Sequence, residues 1–198
     1  MMAISESFVK SRLSAYEPRI RAVIDSAWSD FLSAHIRHKF LYSRTRANIV
    51  FDLIAGRILA EFYEDKNVRV LQKDESIKIL IEDALLVRIK KANESGLGSN
   101  VPTQSVMAFV TQEPDIPGLL PDIYKVEICY FEDMTGAEIA SVKVTARDND
   151  KILWSYEIGR GADSGAEIIP FPSGPIDETP PEIEPRKIGQ DKTDSEES

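Results

Sequence analysis

A change of hydrophobic period at residues 65–67 constrains this chain more than any other feature. Before it, apolar residues recur every three or four positions. After it, they alternate. Following Pro18, the residues Ile20, Val23, Ile24, Ala27, Trp28, Phe31 and Ile36 mark one face of a helix running to about Lys39. Proline suits a first helical turn, where its missing N–H costs nothing. Ser43–Arg46 reads as a turn carrying a Ser or Thr cap. A second helix then extends to about Glu64 on Ile49, Val50, Leu53, Ile54, Ile58, Leu59 and Phe62. The short connection makes the two helices antiparallel neighbours.

Beyond Asn67 the runs Val68–Leu71, Ile77–Ile81 and Leu85–Ile89 are β-rich, separated by short polar connections of hairpin type. A short helix is expected over Val106, Met107, Phe109 and Val110. Three more strands follow at Tyr124–Phe131, Ile139–Ala146 and Ile152–Ile158, joined by the turn sequences DMTG and RDND. The fold class is therefore α+β: an N-terminal antiparallel helix pair packed on a mainly antiparallel sheet of about six strands, with one short inserted helix. Residues 1–17 read as a flexible lead-in, 18–159 as a single domain and 160–198 as a disordered acidic tail.

Charge supports that division. The chain carries a net −9. From residue 160 onward there are 4 Lys/Arg against 10 Asp/Glu, a net of −6, which leaves −3 for residues 1–159. The tail is rich in Pro, Gly, Ser and acid, and so cannot bury enough apolar surface to offset its ordering entropy. Its apolar residues Ile168, Ile169 and Phe171 form a candidate partner-binding segment that would order on contact. Because the acidity sits largely in the tail, a low isoelectric point does not exclude a basic surface on the domain.

Two basic clusters are candidates for anion or nucleic-acid binding. The first is HIRHKFLYSRTR, residues 35–46, with Arg37, Lys39, Arg44 and Arg46 and no acidic residue between Phe31 and Phe51. Cations interleaved with Phe40 and Tyr42 could neutralise phosphates and stack on bases. The competing reading is a solvated helix end. The second cluster is Arg88, Lys90 and Lys91, at the end of a strand that runs into the loop GLGSNVPTQ. A glycine-rich loop ahead of a helix can cradle an anion, with Asn100, Thr103 and Gln104 adding hydrogen bonds. The spacing is that of neither a P-loop nor a dinucleotide fingerprint. The plainer reading is a crossing loop whose helix is capped by Ser99 or Asn100. If the two clusters meet in space, they make one anion-binding face.

Other chemistry is weakly represented. Cys129 sits in the apolar run KVEICYF and reads as a small buried hydrophobe. His35 and His38 lack the further ligands a zinc site needs. Asp122 and Glu127 with Lys125, or Glu82 and Asp83 near Lys90, only faintly suggest the clustered carboxylates of a metal-dependent nuclease. No catalytic triad or cofactor fingerprint is present, so no metal and no cofactor is expected. Without a secretory h-region or an apolar run of about 20 residues, the expectation is a soluble cytoplasmic protein with no membrane partner.

These features lead to three expectations. The first is a non-enzymatic regulatory module with a protein partner, of the adaptor, antitoxin or phage-accessory kind, acting through its tail. The second is a nucleic-acid-binding protein using the two basic clusters. The third is an enzyme with a non-standard site near Asn100–Gln104, recognisable by a deep pocket lined by Arg88, Asn100 and Gln104. An exposed sheet edge could also pair two copies into a homo-oligomer.

Overall fold

The computed structural model describes residues 5–35, 39–73, 75–93, 95–98, 103–111 and 123–160. The elements in chain order are α1 (Glu6–Leu13), α2 (Glu17–Ser33), α3 (Ser43–Glu61), β1 (Val68–Lys73), β2 (Ser76–Ile81), β3 (Leu85–Lys91), α4 (Gln104–Val110), β4 (Tyr124–Glu132), β5 (Ile139–Asp148) and β6 (Lys151–Glu157). The strands form one six-stranded sheet in sequence order. Every neighbouring pair is antiparallel except β3 and β4, which run parallel with Leu85 opposite Tyr124 and Lys91 opposite Tyr130. A parallel pair needs a long crossover. Residues 92–123, containing α4, supply it.

Alternation along the strands divides the sheet into two faces. Ile79 and Ile81 of β2, Val87 and Ile89 of β3, Val126 and Ile128 of β4, and Val142 and Val144 of β5 point one way. They pack under Val9, Leu13, Ile20, Ile24, Trp28, Val50, Ile54 and Ile58 of the three N-terminal helices. Each fully buried aliphatic side chain contributes about 1.5–3 kcal/mol. On the opposite face Leu80 and Leu86 meet Phe109 and Val110 of α4 in a smaller cluster. Beyond this cluster the face is mixed, with Arg88, Lys125, Glu127 and Thr145 beside Cys129 and Phe131.

Several local features differ from the sequence reading. Residues 6–13, read as part of a lead-in, form a helix whose Ser5 cap accepts from the Phe8 N–H at 3.4 Å. Val9 and Leu13 are fully buried, and the Phe8 ring lies 4.7 Å from that of Tyr124. α2 ends at Ser33, short of Lys39. α3 begins at Ser43 with Tyr42 as its N-cap and no side-chain cap, so Ser43–Arg46 is the helix's first turn and not a capped turn before it. α4 is capped by the Thr103 hydroxyl, which accepts from Val106 N–H at 3.2 Å; Ser99 and Asn100 lie outside the described residues.

The β2–β3 connection places both Glu82 and Asp83 at positive φ, 48° and 53°. Two successive left-handed residues match the right-handed twist of a hairpin. Among the described residues, no helix is long and apolar enough to cross a membrane.

Candidate functional site

The first basic cluster forms an exposed corner where α3 begins. Phe40 is half-buried and packs against the main core, anchoring the segment. The next two side chains face outward: Leu41 is 84% exposed and Tyr42 69%. Lys39, Arg44 and Arg46 are exposed around them. Leu41, Tyr42, Ser43, Arg44, Thr45 and Arg46 line an open cleft of about 640 Å³. That volume is in the range of small-ligand sites, roughly 300–1,000 Å³.

The electrostatics of the corner are one-sided. The first turn of α3 contains no acidic residue. Its Tyr42 carbonyl accepts from Thr45 N–H at 3.1 Å and Arg46 N–H at 3.4 Å. None of Lys39, Arg44 and Arg46 joins an ion pair among the described residues, whereas eleven such pairs form elsewhere. Arg37 lies outside the described residues.

The second cluster is divided. Arg88 is 5% exposed, on the α4 side of the sheet, with its guanidinium 4.8 Å from the Phe109 ring centroid. Burial lowers its pKa, against the pull of Glu127. Lys91 is bonded to Glu132. Lys90, half-buried and with its pKa lowered mainly by burial, brings its ammonium to 5.7 Å from the Phe51 ring of α3. Phe51 lies two turns along α3 from Arg44. The two clusters therefore approach one another through Lys90 alone, while Arg88 belongs to the interior. Thr103 caps α4, Gln104 is exposed in its first turn, and Asn100 lies outside the described residues. So do Ile168, Ile169 and Phe171.

Arg88 opens a polar row across the second sheet face. It lies opposite Glu127, which lies opposite Thr145, which lies opposite Ser155. Glu127 is fully buried. Its Oε2 accepts from Gly98 N–H at 3.3 Å and from Arg147 Nη1 at 3.2 Å. Arg147 also reaches the Asn149 carbonyl and Asp150. Lys125 Nζ donates to the Ala108 carbonyl of α4 at 2.8 Å. Buried charge is tolerated only when hydrogen-bonded in this way. The row ties the 95–98 loop, α4 and the β5–β6 turn to the sheet.

No family model, curated protein or solved structure matches this chain.

The described members of the nuclease-type groupings are engaged in other contacts. Lys125 is bonded to α4, Glu127 faces Gly98 and Arg147, and Asp122 lies outside the described residues. Glu82 and Asp83 sit in the β2–β3 turn, at the far end of β3 from Lys90, and pair with Arg12 and Arg69. Cys129 is buried, and desolvation, assisted by the charge of Glu127, pushes its thiol up to about 12. A second open cleft of about 520 Å³ lies between α2 and α3. Its flanking arginines are already engaged, Arg19 with Glu61 and Asp65, and Arg57 with Asp30.

The Glu127–Arg147–Gly98 network was not readable as a unit. Alternating charge in β4 normally marks a solvent face. Gly98 and α4, packed across this face, make it interior.

Proposed function

We propose that this protein is a binding module, not a catalyst, and that it engages an anionic macromolecule through the corner where α3 begins. One observation carries the reading. Leu41 and Tyr42 stand 84% and 69% exposed among Lys39, Arg44 and Arg46, cations that no described acidic residue neutralises. Exposed apolar surface rimmed by charge is characteristic of interaction sites. An arginine fork recognises phosphate or carboxylate in two-point fashion. The buried charges of the second sheet face support a structural role there, because they are spent on holding loops and α4.

The test is elution from a heparin column along a salt gradient, full-length protein against Arg44→Ala/Arg46→Ala. The double variant should elute at clearly lower salt. An unchanged elution position contradicts the reading.

A protein partner for the 160–198 segment is a second reading. It is supported by the apolar Ile168, Ile169 and Phe171 within an acidic, proline-rich sequence. A partner recovered with the full chain and lost from residues 1–160 supports it. A partner retained equally by both opposes it.

A further inference from the structure

Resting on the reading of the α3 corner as an anion-binding surface, we infer that its ligand is single-stranded nucleic acid, with Tyr42 as a base-stacking platform and Arg44 and Arg46 on the flanking phosphates. Three classes of polyanion could satisfy the cations: duplex nucleic acid, an acidic polypeptide and a single strand. They differ in what they offer the exposed ring.

A duplex presents a phosphate surface with its bases stacked inside, so Tyr42 would gain nothing from it. An acidic polypeptide offers carboxylates, which give the ring no extended aromatic face to stack on. A single strand offers phosphates and unstacked bases together, and aromatic rings in basic grooves bind such bases with little regard to sequence. Tyr42 meets this requirement because Phe40 anchors the segment in the core and leaves the tyrosine ring 69% exposed beside the cations.

The footprint follows from the helix. Arg44 and Phe51 are seven residues apart on one stripe of α3, about 10 Å along the axis, and Lys90 arrives at Phe51. The duplex rise of about 3.4 Å per strand is a lower bound for a strand with unstacked bases, so this stretch of α3 spans at most about three phosphate steps. A site of at most about four nucleotides results, with Asn48 exposed along its course.

The experiment is fluorescence anisotropy with the full-length protein, using labelled (dT)12, a 12-base-pair duplex, and polyglutamate as competitor. Circular dichroism verifies that each variant is folded. The single strand should bind at least about tenfold tighter than the duplex. Stacking is worth roughly 1–3 kcal/mol per base, so Tyr42→Ala should weaken binding about 5- to 150-fold with an unchanged salt slope, and Tyr42→Phe should retain it. Arg44→Ala/Arg46→Ala should flatten the log–log salt slope by about 1.4, at roughly 0.7 per phosphate contact.

Equal duplex affinity, or a neutral Tyr42→Ala alongside a damaged arginine variant, overturns the single-strand assignment and leaves the anion-binding corner standing. Competition by polyglutamate as strong as by unlabelled (dT)12 overturns it in favour of an acidic polypeptide. Failure of all three anions to bind overturns both.

Discussion

Two glycines in this chain should respond to alanine in opposite directions. Gly98 lies where the loop after β3 crosses the second sheet face. A Cβ built there would come within 2.9 Å of Glu127 Oε2 and 2.9 Å of Lys90 Cβ. Both distances are shorter than real contacts, and neither neighbour can retreat easily. The Lys90 Cβ is fixed to strand β3, and the Glu127 carboxylate is fully buried and held by Arg147 at 3.2 Å. The loop must therefore lift, weakening the 3.3 Å hydrogen bond from Gly98 N–H to Glu127. Overpacking costs about 1–3 kcal/mol, and a hydrogen bond to a charged group about 1.5–3 kcal/mol. Because one displacement relieves the first at the expense of the second, the two do not add in full, and Gly98→Ala should cost about 3 kcal/mol. Gly56, in the middle of α3, has open space around a new Cβ. Gly56→Ala should instead stabilise by about 0.5–1 kcal/mol through helix propensity. Urea unfolding at matched m-values measures both. A Gly98→Ala variant within about 0.5 kcal/mol of wild type, well below the overpacking range, would refute the packing of this loop against Glu127 and Lys90.

Other consequences are more local. Leu13→Ala, which empties a fully buried position of α1, should cost about 2–5 kcal/mol by chemical denaturation; a loss near zero would mean α1 is not part of the core. The Asp133 carboxyl accepts from the Thr135 hydroxyl and from the N–H groups of Glu138 and Ala137, and these bonds lower its pKa from 3.8 to about 2. A depressed folded-state pKa stabilises above the unfolded value and loses that contribution as pH falls through the folded one. The stability difference between wild type and Asp133→Asn should therefore be constant above about pH 5 and shrink between about pH 4 and 2, and a difference that persists at pH 2 would contradict it. Cys129, buried and with its thiol pushed up to about 12, should react with a disulfide reagent at pH 8 only as fast as the protein unfolds; rapid labelling of the native state would contradict its burial.

Much of the fold was legible because local pattern and tertiary environment agree. The 3.6 period over Ile20–Phe31 and Ile49–Phe62, followed by alternation from Val68, reports elements that each bury one face against a common core. The Asp133–Gly136 connection carries turn residues where its hairpin needs them, whereas Glu82 takes a φ of 48° that its residue type does not favour. What escaped depends on contacts distant in sequence. α1 is only eight residues long, and its burial is decided by Tyr124 and the sheet, not by its own periodicity. The parallel pairing of β3 with β4 leaves no local signature; antiparallel neighbours were the simpler expectation for short strands.

The candidate site shows the same limit. Lys39, Arg44 and Arg46 are exposed, and none of the described residues folds over them. Arg88 carries the same charge at a strand end, yet α4 covers it with Phe109. Charge at alternate positions of β3 and β4 marks a solvent face only if no later segment returns across it, and here Gly98 and α4 do.

The claim that the α3 corner binds anions is tested most directly by the salt dependence of binding. Anisotropy of labelled (dT)12 from low to moderate salt, with wild type and Arg44→Ala/Arg46→Ala side by side, is the decisive measurement. The account predicts a linear fall of log affinity with log salt for wild type, and for the double variant weaker binding with a slope flatter by about 1.4. Equal affinities and equal slopes for the two proteins would contradict it.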